Sequence, residues 1–221
     1  MRLAEKNLCA EAAIAGMREE AHGEVLGPLL AARAPQVRSA DATALRRAGW
    51  HGEARASLAD PSGGVRACAR YVLRQDGVDP LPLCRSMCAD LRRSMNAGPD
   101  PTVTAGPFIV PAAPAGPGEC GSRTDAETLR SLPAHPLPAV RVRSVLGLRA
   151  LDGVDRERPA PLLDDPSSAV VRAATRAPQP DTAGFPEEWL RIRTAQDQPR
   201  AVRVAALRLL RVAGLHRCST C

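Results

Sequence analysis

DQPRAVRVAALRLLRVAG, residues 197–214, is a turn followed by a helix, and its frame returns along the chain. An acid and a turn lead to Val202-Arg203; then come a small residue at Ala206, apolar Leu209 and Leu210, and Gly214. DPSGGVRACARYVLRQDG, residues 60–77, fits the same frame. With the valine as position zero, Val37, Val65, Val140, Val170 and Val202 begin five copies, 28, 75, 30 and 32 residues apart. Periods of this size mark repeat architectures. Four positions on stand Asp41, Ala69, Ser144, Ala174 and Ala206, and seven and eight positions on stand Ala44-Leu45, Val72-Leu73, Gly147-Leu148, Ala177-Pro178 and Leu209-Leu210. Spacings of 0, 4, 7 and 8 fall on one helical stripe, so this stripe is expected to pack. Gly49, Gly77 and Gly214 stand at position twelve, with Gly153 one step late, where a left-handed residue would close each helix.

A shorter apolar-periodic segment precedes these helices. In TDAETLRSL, residues 124–132, Thr124 and Glu127 have capping-box spacing. Pro186 suits the first helical position, with Glu187 and Glu188 in the first turn. The expected unit is helix, turn, helix, and stacked units give an all-α solenoid of about six hairpins. One domain over residues 1–221 is expected, with 1–22 as a capping helix and 215–221 as a tail. A helix is expected over Asp79 to Met95, opening at Pro80 or Pro82. Gly98 to Gly118 carries six prolines and four glycines. Proline deletes a helix donor and clashes with the preceding turn, so this segment is expected to be a loop.

Composition is consistent with that reading. The chain is 44% hydrophobic but only 2% aromatic, so the core is expected to be Leu, Val and Ala in closely packed short helices. The formal net charge is +6, and Lys6 is the only lysine among 30 basic residues. The N-terminus mixes acids and bases with no apolar core, unlike a signal peptide. No apolar run is long enough for a membrane span. Seven cysteines without paired spacing suggest reduced thiols and a cytoplasmic protein.

DPSGGVRACA, DDPSSAVVRAA and DQPRAVRVAA resemble the turn and second helix of HEAT repeats, particularly a short subtype of roughly 30 residues found in phycobilisome-lyase-like proteins. The resemblance spans Val25 to Gly214 with a break at 98–118. It implies a protein-binding α-solenoid and carries over no catalytic residue. Pro133 and His135 depart from the family pattern, His135 standing where an acid is usual.

Two arginine columns run through the copies. Arg38, Arg66, Arg141 and Arg203 follow the valine, in a first turn whose dipole disfavours a cation, so acid partners are expected. Asp60 for Arg66 and Asp197 for Arg203 would clamp turn to helix. Arg46, Arg74, Arg149 and Arg211 lie nine positions after it, in a last turn that favours a cation. If that column shared one acid-free face, it would suit an acidic protein or nucleic-acid phosphates. A protein partner, not a membrane, is the leading expectation, with nucleic acid second because aromatics for base stacking are scarce.

The enzymatic alternatives come from the resemblance: a HEAT-like alkylpurine DNA glycosylase, needing Trp50 or Trp189 beside a carboxylate, or a bilin-lyase-like protein. His216, Cys218 and Cys221 form H-x-C-x-x-C, and Cys84 and Cys88 are one helical turn apart. A zinc site takes about four ligands at fixed spacing, so neither group is read as a metal centre, and no cofactor is expected. Cys68 and Cys120 are read as small buried residues.

Overall fold

The computed structural model describes residues 27–47, 55–97, 110–152, 159–176 and 185–218. These residues are all-helical, with no strand among them. In chain order the helices are α1 (Pro35–Arg47), α2 (Gly63–Gln75), α3 (Pro80–Ala97), α4 (Ala115–Cys120), α5 (Ala126–Leu129), α6 (Pro138–Ala150), α7 (Pro159–Leu162), α8 (Ser168–Arg176), α9 (Glu187–Ile192) and α10 (Arg200–Cys218). Short 3-10 turns join several of them. The expected capping helix at 1–22 lies outside the described residues. The chain divides into two compact units, Met1–Gly116 and Pro117–Cys221.

In the first unit, α1 packs against α2. Val37, Leu45, Val65, Ala69, Val72 and Leu73 are buried, as the stripe requires. Gly77 closes α2 with φ of 71°: Gly77 N–H donates to the Arg74 carbonyl and Val78 N–H to the Leu73 carbonyl. Both bonds satisfy carbonyls that the helix end leaves open. Helix α3 opens at Pro80, where the missing N–H costs nothing.

The expected Pro/Gly-rich loop lies partly outside the described residues, at 98–109. Its last part is not loop. Val110–Ala112 makes a 3-10 turn, and α4 runs through Gly116, Pro117 and Gly118. Pro117 occupies the first turn of α4, where no donor is lost. A Cβ on Gly116 would stand 2.5 Å from Cys84 Sγ, so this glycine permits contact with α3. Cys88 Sγ donates to the Ala113 carbonyl at 3.7 Å.

In the second unit α6 packs against α8, and α8 against α10. Val140, Val170, Ala174, Ala206 and Leu209 are buried on these helices. A Cβ on Gly118 would come within 2.7 Å of the Gly147 Cα, so two glycines let α4 and α6 approach backbone to backbone.

The capping box is two residues earlier than expected: Ser122 N–H donates to Asp125 Oδ2 at 2.9 Å, and Ser122 and Asp125 form the reciprocal pair, not Thr124 and Glu127. The left-handed residue after α6 is Asp152, with φ of 52°, at the twelfth position itself and not at Gly153. Helix α10 continues through Gly214 to Cys218, so this glycine does not end it. Pro186 is the residue just before α9.

Candidate functional site

The turn before each repeat helix is built from local donors. Five residues ahead of the valine, Asp60 Oδ1 accepts from Ser62 N–H at 2.7 Å, and Asp165 Oδ1 from Ser167 N–H at 2.8 Å. Such Asx turns hold the chain in the bend that starts the helix. In the third copy His135 stands in this place, and its Nδ1 accepts from Leu137 N–H at 3.0 Å. Accepting there requires a neutral ring. Burial, and secondarily the Arg141 charge, lower the His135 pKa and favour that form. In the fifth copy Pro199 has no N–H to give Asp197, which is exposed.

The first arginine column reads these turns twice. Arg38 Nη1 donates to the carbonyls of Ala32 and Arg33, Arg66 Nη1 to those of Asp60 and Pro61, and Arg141 Nη1 to those of His135 and Pro136. Each arginine thus ties its own helix to its own turn. The rest of the guanidinium reaches the next repeat. Arg38 Nε and Nη2 donate to Asp60 Oδ2 and Oδ1 at 2.6 and 2.8 Å. Arg141 Nε and Nη2 donate to Asp165 Oδ2 and Oδ1, both at 2.8 Å. These are two-pronged pairs across 22 and 24 residues. Donation to the Asp60 carboxylate raises the Arg38 pKa above its ordinary value, against the opposing effect of burial.

The clamp expected from spacing therefore has different partners. Asp60 gives Arg66 its main-chain carbonyl and gives its carboxylate to Arg38 of the preceding copy. Among the described residues Asp197 and Arg203 make no side-chain ion pair with each other. The repeat frame explains it: Asp197 would need an arginine one position after Val170, and that residue is Val171, buried in the core. Sequence spacing placed Arg38 and Arg141 in the column and expected acids for them, but it did not find their partners, Asp60 and Asp165 of the next copy. Their recurrence at positions +1 and −5 of successive copies was the signal available.

The second column is not uniform. Arg46 Nε donates to Asp76 Oδ1 at 2.7 Å, an acid on the following copy. Arg74, Arg149 and Arg211 are exposed. Arg46 is therefore paired with an acid within the first unit.

Trp189 packs on the core of the second unit and stacks with Phe185 at 5.8 Å between centroids. The Arg193 guanidinium lies 3.3 Å over its ring, and Arg193 Nε donates to Asp164 Oδ1 at 2.9 Å. A carboxylate is near Trp189, but the arginine occupies the ring face between them. Trp50 lies outside the described residues.

Cys84 and Cys88 are buried and unpaired by disulfide, and burial pushes the Cys88 thiol up to about 12. Cys68 and Cys120 are half-buried; Cys68 Sγ meets Thr43 Oγ1 and the Ser39 carbonyl, both at 3.4 Å. The side chains of His216, Cys218 and Cys221 lie outside the described residues. Among the described residues no group of three His, Cys, Asp or Glu side chains converges as a metal site would require.

No protein-family model matches the chain, and no curated protein or solved structure matches it significantly.

Proposed function

We propose that this chain is a non-catalytic, protein-binding scaffold: a cytoplasmic α-solenoid of HEAT-like repeats. The observation that carries this reading is the two-pronged pair repeated at Arg38–Asp60 and Arg141–Asp165. Each pair joins one repeat helix to the turn of the next copy at the same two positions. A device of this kind sets the offset between neighbouring repeats, and repetition of one offset is what builds a solenoid. Its arginines are consumed inside the stack, leaving the outer helix faces to meet partners. No described helix is long and apolar enough to cross a membrane.

The second reading, a basic solenoid on nucleic-acid backbone, draws on exposed Arg74, Arg149 and Arg211. It is weakened by the Arg46–Asp76 pair and by the scarcity of aromatics.

Titration of fluorescent duplex and single-stranded DNA between about 50 and 300 mM salt separates the two readings. The scaffold reading expects no binding that is steep in salt. Tight binding that falls steeply with salt, and is lost when Arg74, Arg149 and Arg211 become glutamine, would replace it with the nucleic-acid reading. A protein partner is then sought by affinity capture and verified with purified components.

A further inference from the structure

We propose that the exposed face of α10 is a docking site for an acidic helical hairpin of another protein, seated on it as one internal repeat helix sits on the one before it. The inference rests on the scaffold reading and names the surface it uses.

Internal copies show how one repeat receives the next. Position +3 of the later helix meets positions +2, +5 and +6 of the earlier one. In the first unit Cys68 at +3 meets Ser39 at +2 and Thr43 at +6. In the second unit Ala173 at +3 packs with Val145 at +5, and Val142 at +2 lies against that contact. The +5 residues of these copies, Ala42 and Val145, are 0% and 4% exposed. The +1 arginine closes on an aspartate five residues ahead of the next valine, as Arg38 and Arg141 do. The +9 arginine takes a carboxylate at +11 of the next copy, as Arg46 does.

Helix α10 presents the same set with no described residue packed over it. Val204 at +2 is 40% exposed, Leu207 at +5 is 56% exposed and Val212 at +10 is 37% exposed. Arg208 and Arg211, at +6 and +9, are exposed. Among the described residues Arg203, at +1, makes no side-chain hydrogen bond or ion pair. The apolar residues and both arginine positions that join internal repeats are thus all unengaged at once.

Charge selects the occupant. Helix α10 contains no Asp or Glu, and the whole chain is +6, so a second copy would bring arginine toward arginine. The fitting partner carries an Asx-turn aspartate for Arg203, a small residue for Leu207 and an acid for Arg211. A phosphate backbone would satisfy the arginines but leave Val204, Leu207 and Val212 in water.

The test appends a second copy of residues 159–181, which contains Asp165, Ala173 and Asp181 and has three acids against two arginines, after Cys221. Tethering gives this probe a high effective concentration at the α10 face. Amide hydrogen exchange across α10 is expected to slow by about tenfold or more on extension. Leu207→Glu, at an exposed position, is expected to abolish that protection, and Asp165→Asn in the appended copy alone is expected to reduce it severalfold. Unchanged exchange in α10, or protection unaffected by Leu207→Glu, would overturn the proposal. So would dimerisation of the unextended chain through α10, or protection of α10 by duplex DNA. A verified protein partner that protects another face would overturn this site and leave the scaffold reading standing; failure to find any protein partner would count against the scaffold reading instead.

Discussion

Arg38 and Asp60, 22 residues apart, face each other through two parallel hydrogen bonds, while the same arginine holds the two carbonyls of its own turn. One side chain therefore fixes both the start of its helix and the position of the next turn. Both side chains are about nine-tenths buried, so loss of either partner leaves an uncompensated charge away from water.

Asp60→Asn and Asp165→Asn are each expected to destabilise the protein by about 3 kcal/mol. Asp197→Asn, at an exposed carboxylate outside any clamp, is expected to change stability by less than about 0.5 kcal/mol. Urea midpoints of the three variants check the contrast. Equal losses at Asp165 and Asp197 would show that the paired geometry adds nothing.

Asp41 is fully buried on α1, and neither carboxylate oxygen has a hydrogen-bond partner among the described residues. Burial pushes its pKa up to about 7. The folded protein therefore keeps this proton in a range where the unfolded chain, near 3.8, has lost it. Its contribution is most favourable at low pH, declines as pH rises from about 4 to about 7, and is level above that. Asp41→Ala, the residue that Ala69, Ala174 and Ala206 place at this position, is expected to stabilise by about 2 kcal/mol at pH 8 and by less at pH 4. Thermal melts of both proteins across that range test it; a gain independent of pH would mean that the carboxyl does not titrate there.

His135 behaves in the opposite sense. Its folded pKa is lowered, so stability is complete above the unfolded value of 6.5 and is lost as pH falls below it. His135→Asn can still accept from Leu137 N–H through its side-chain oxygen. The melting temperature of this variant is expected to fall less than that of the wild type between pH 7.5 and pH 5.5, values chosen to bracket the ordinary histidine pKa of about 6.5. A larger fall in the variant would contradict the neutral-acceptor assignment.

Two glycines are expected to respond in opposite directions to alanine. Gly118→Ala places a Cβ 2.7 Å from the Gly147 Cα, a backbone neighbour that cannot rotate away, and is expected to cost about 2 kcal/mol. Gly214 lies inside α10 with nothing within 4 Å of an added Cβ, so Gly214→Ala is expected to stabilise by about 0.5–1 kcal/mol. Calorimetric melts of the two variants distinguish them.

The buried stripe was legible because one periodicity carries it: Val37, Val65, Val140, Val170 and Val202 are all buried, as are Ala69, Ala174 and Ala206. What spacing could not tell was the partner of each charge. Asp60 lies close to Arg66 in sequence, but the fork of Arg38 reaches it across the repeat interface, a distance that only the packed helices define. Local competition defeated other readings. Ser122 outcompeted Thr124 as cap, and Asp152 took the left-handed position that Gly153 was expected to fill. Glycine and proline in residues 98–118 signalled a loop, yet Gly116, Pro117 and Gly118 serve a short helix that packs at backbone contact. Trp189 drew notice as a candidate catalytic aromatic, but its ring is stacked on Phe185 and covered by Arg193.

A double-mutant cycle on Arg141 and Asp165, using Arg141→Met and Asp165→Asn, tests most directly whether the inter-repeat clamp holds successive repeats together. The double variant is expected to be more stable than the sum of the single losses implies, with a coupling of about 2 kcal/mol. Additive losses, with coupling below about 0.3 kcal/mol, would contradict it.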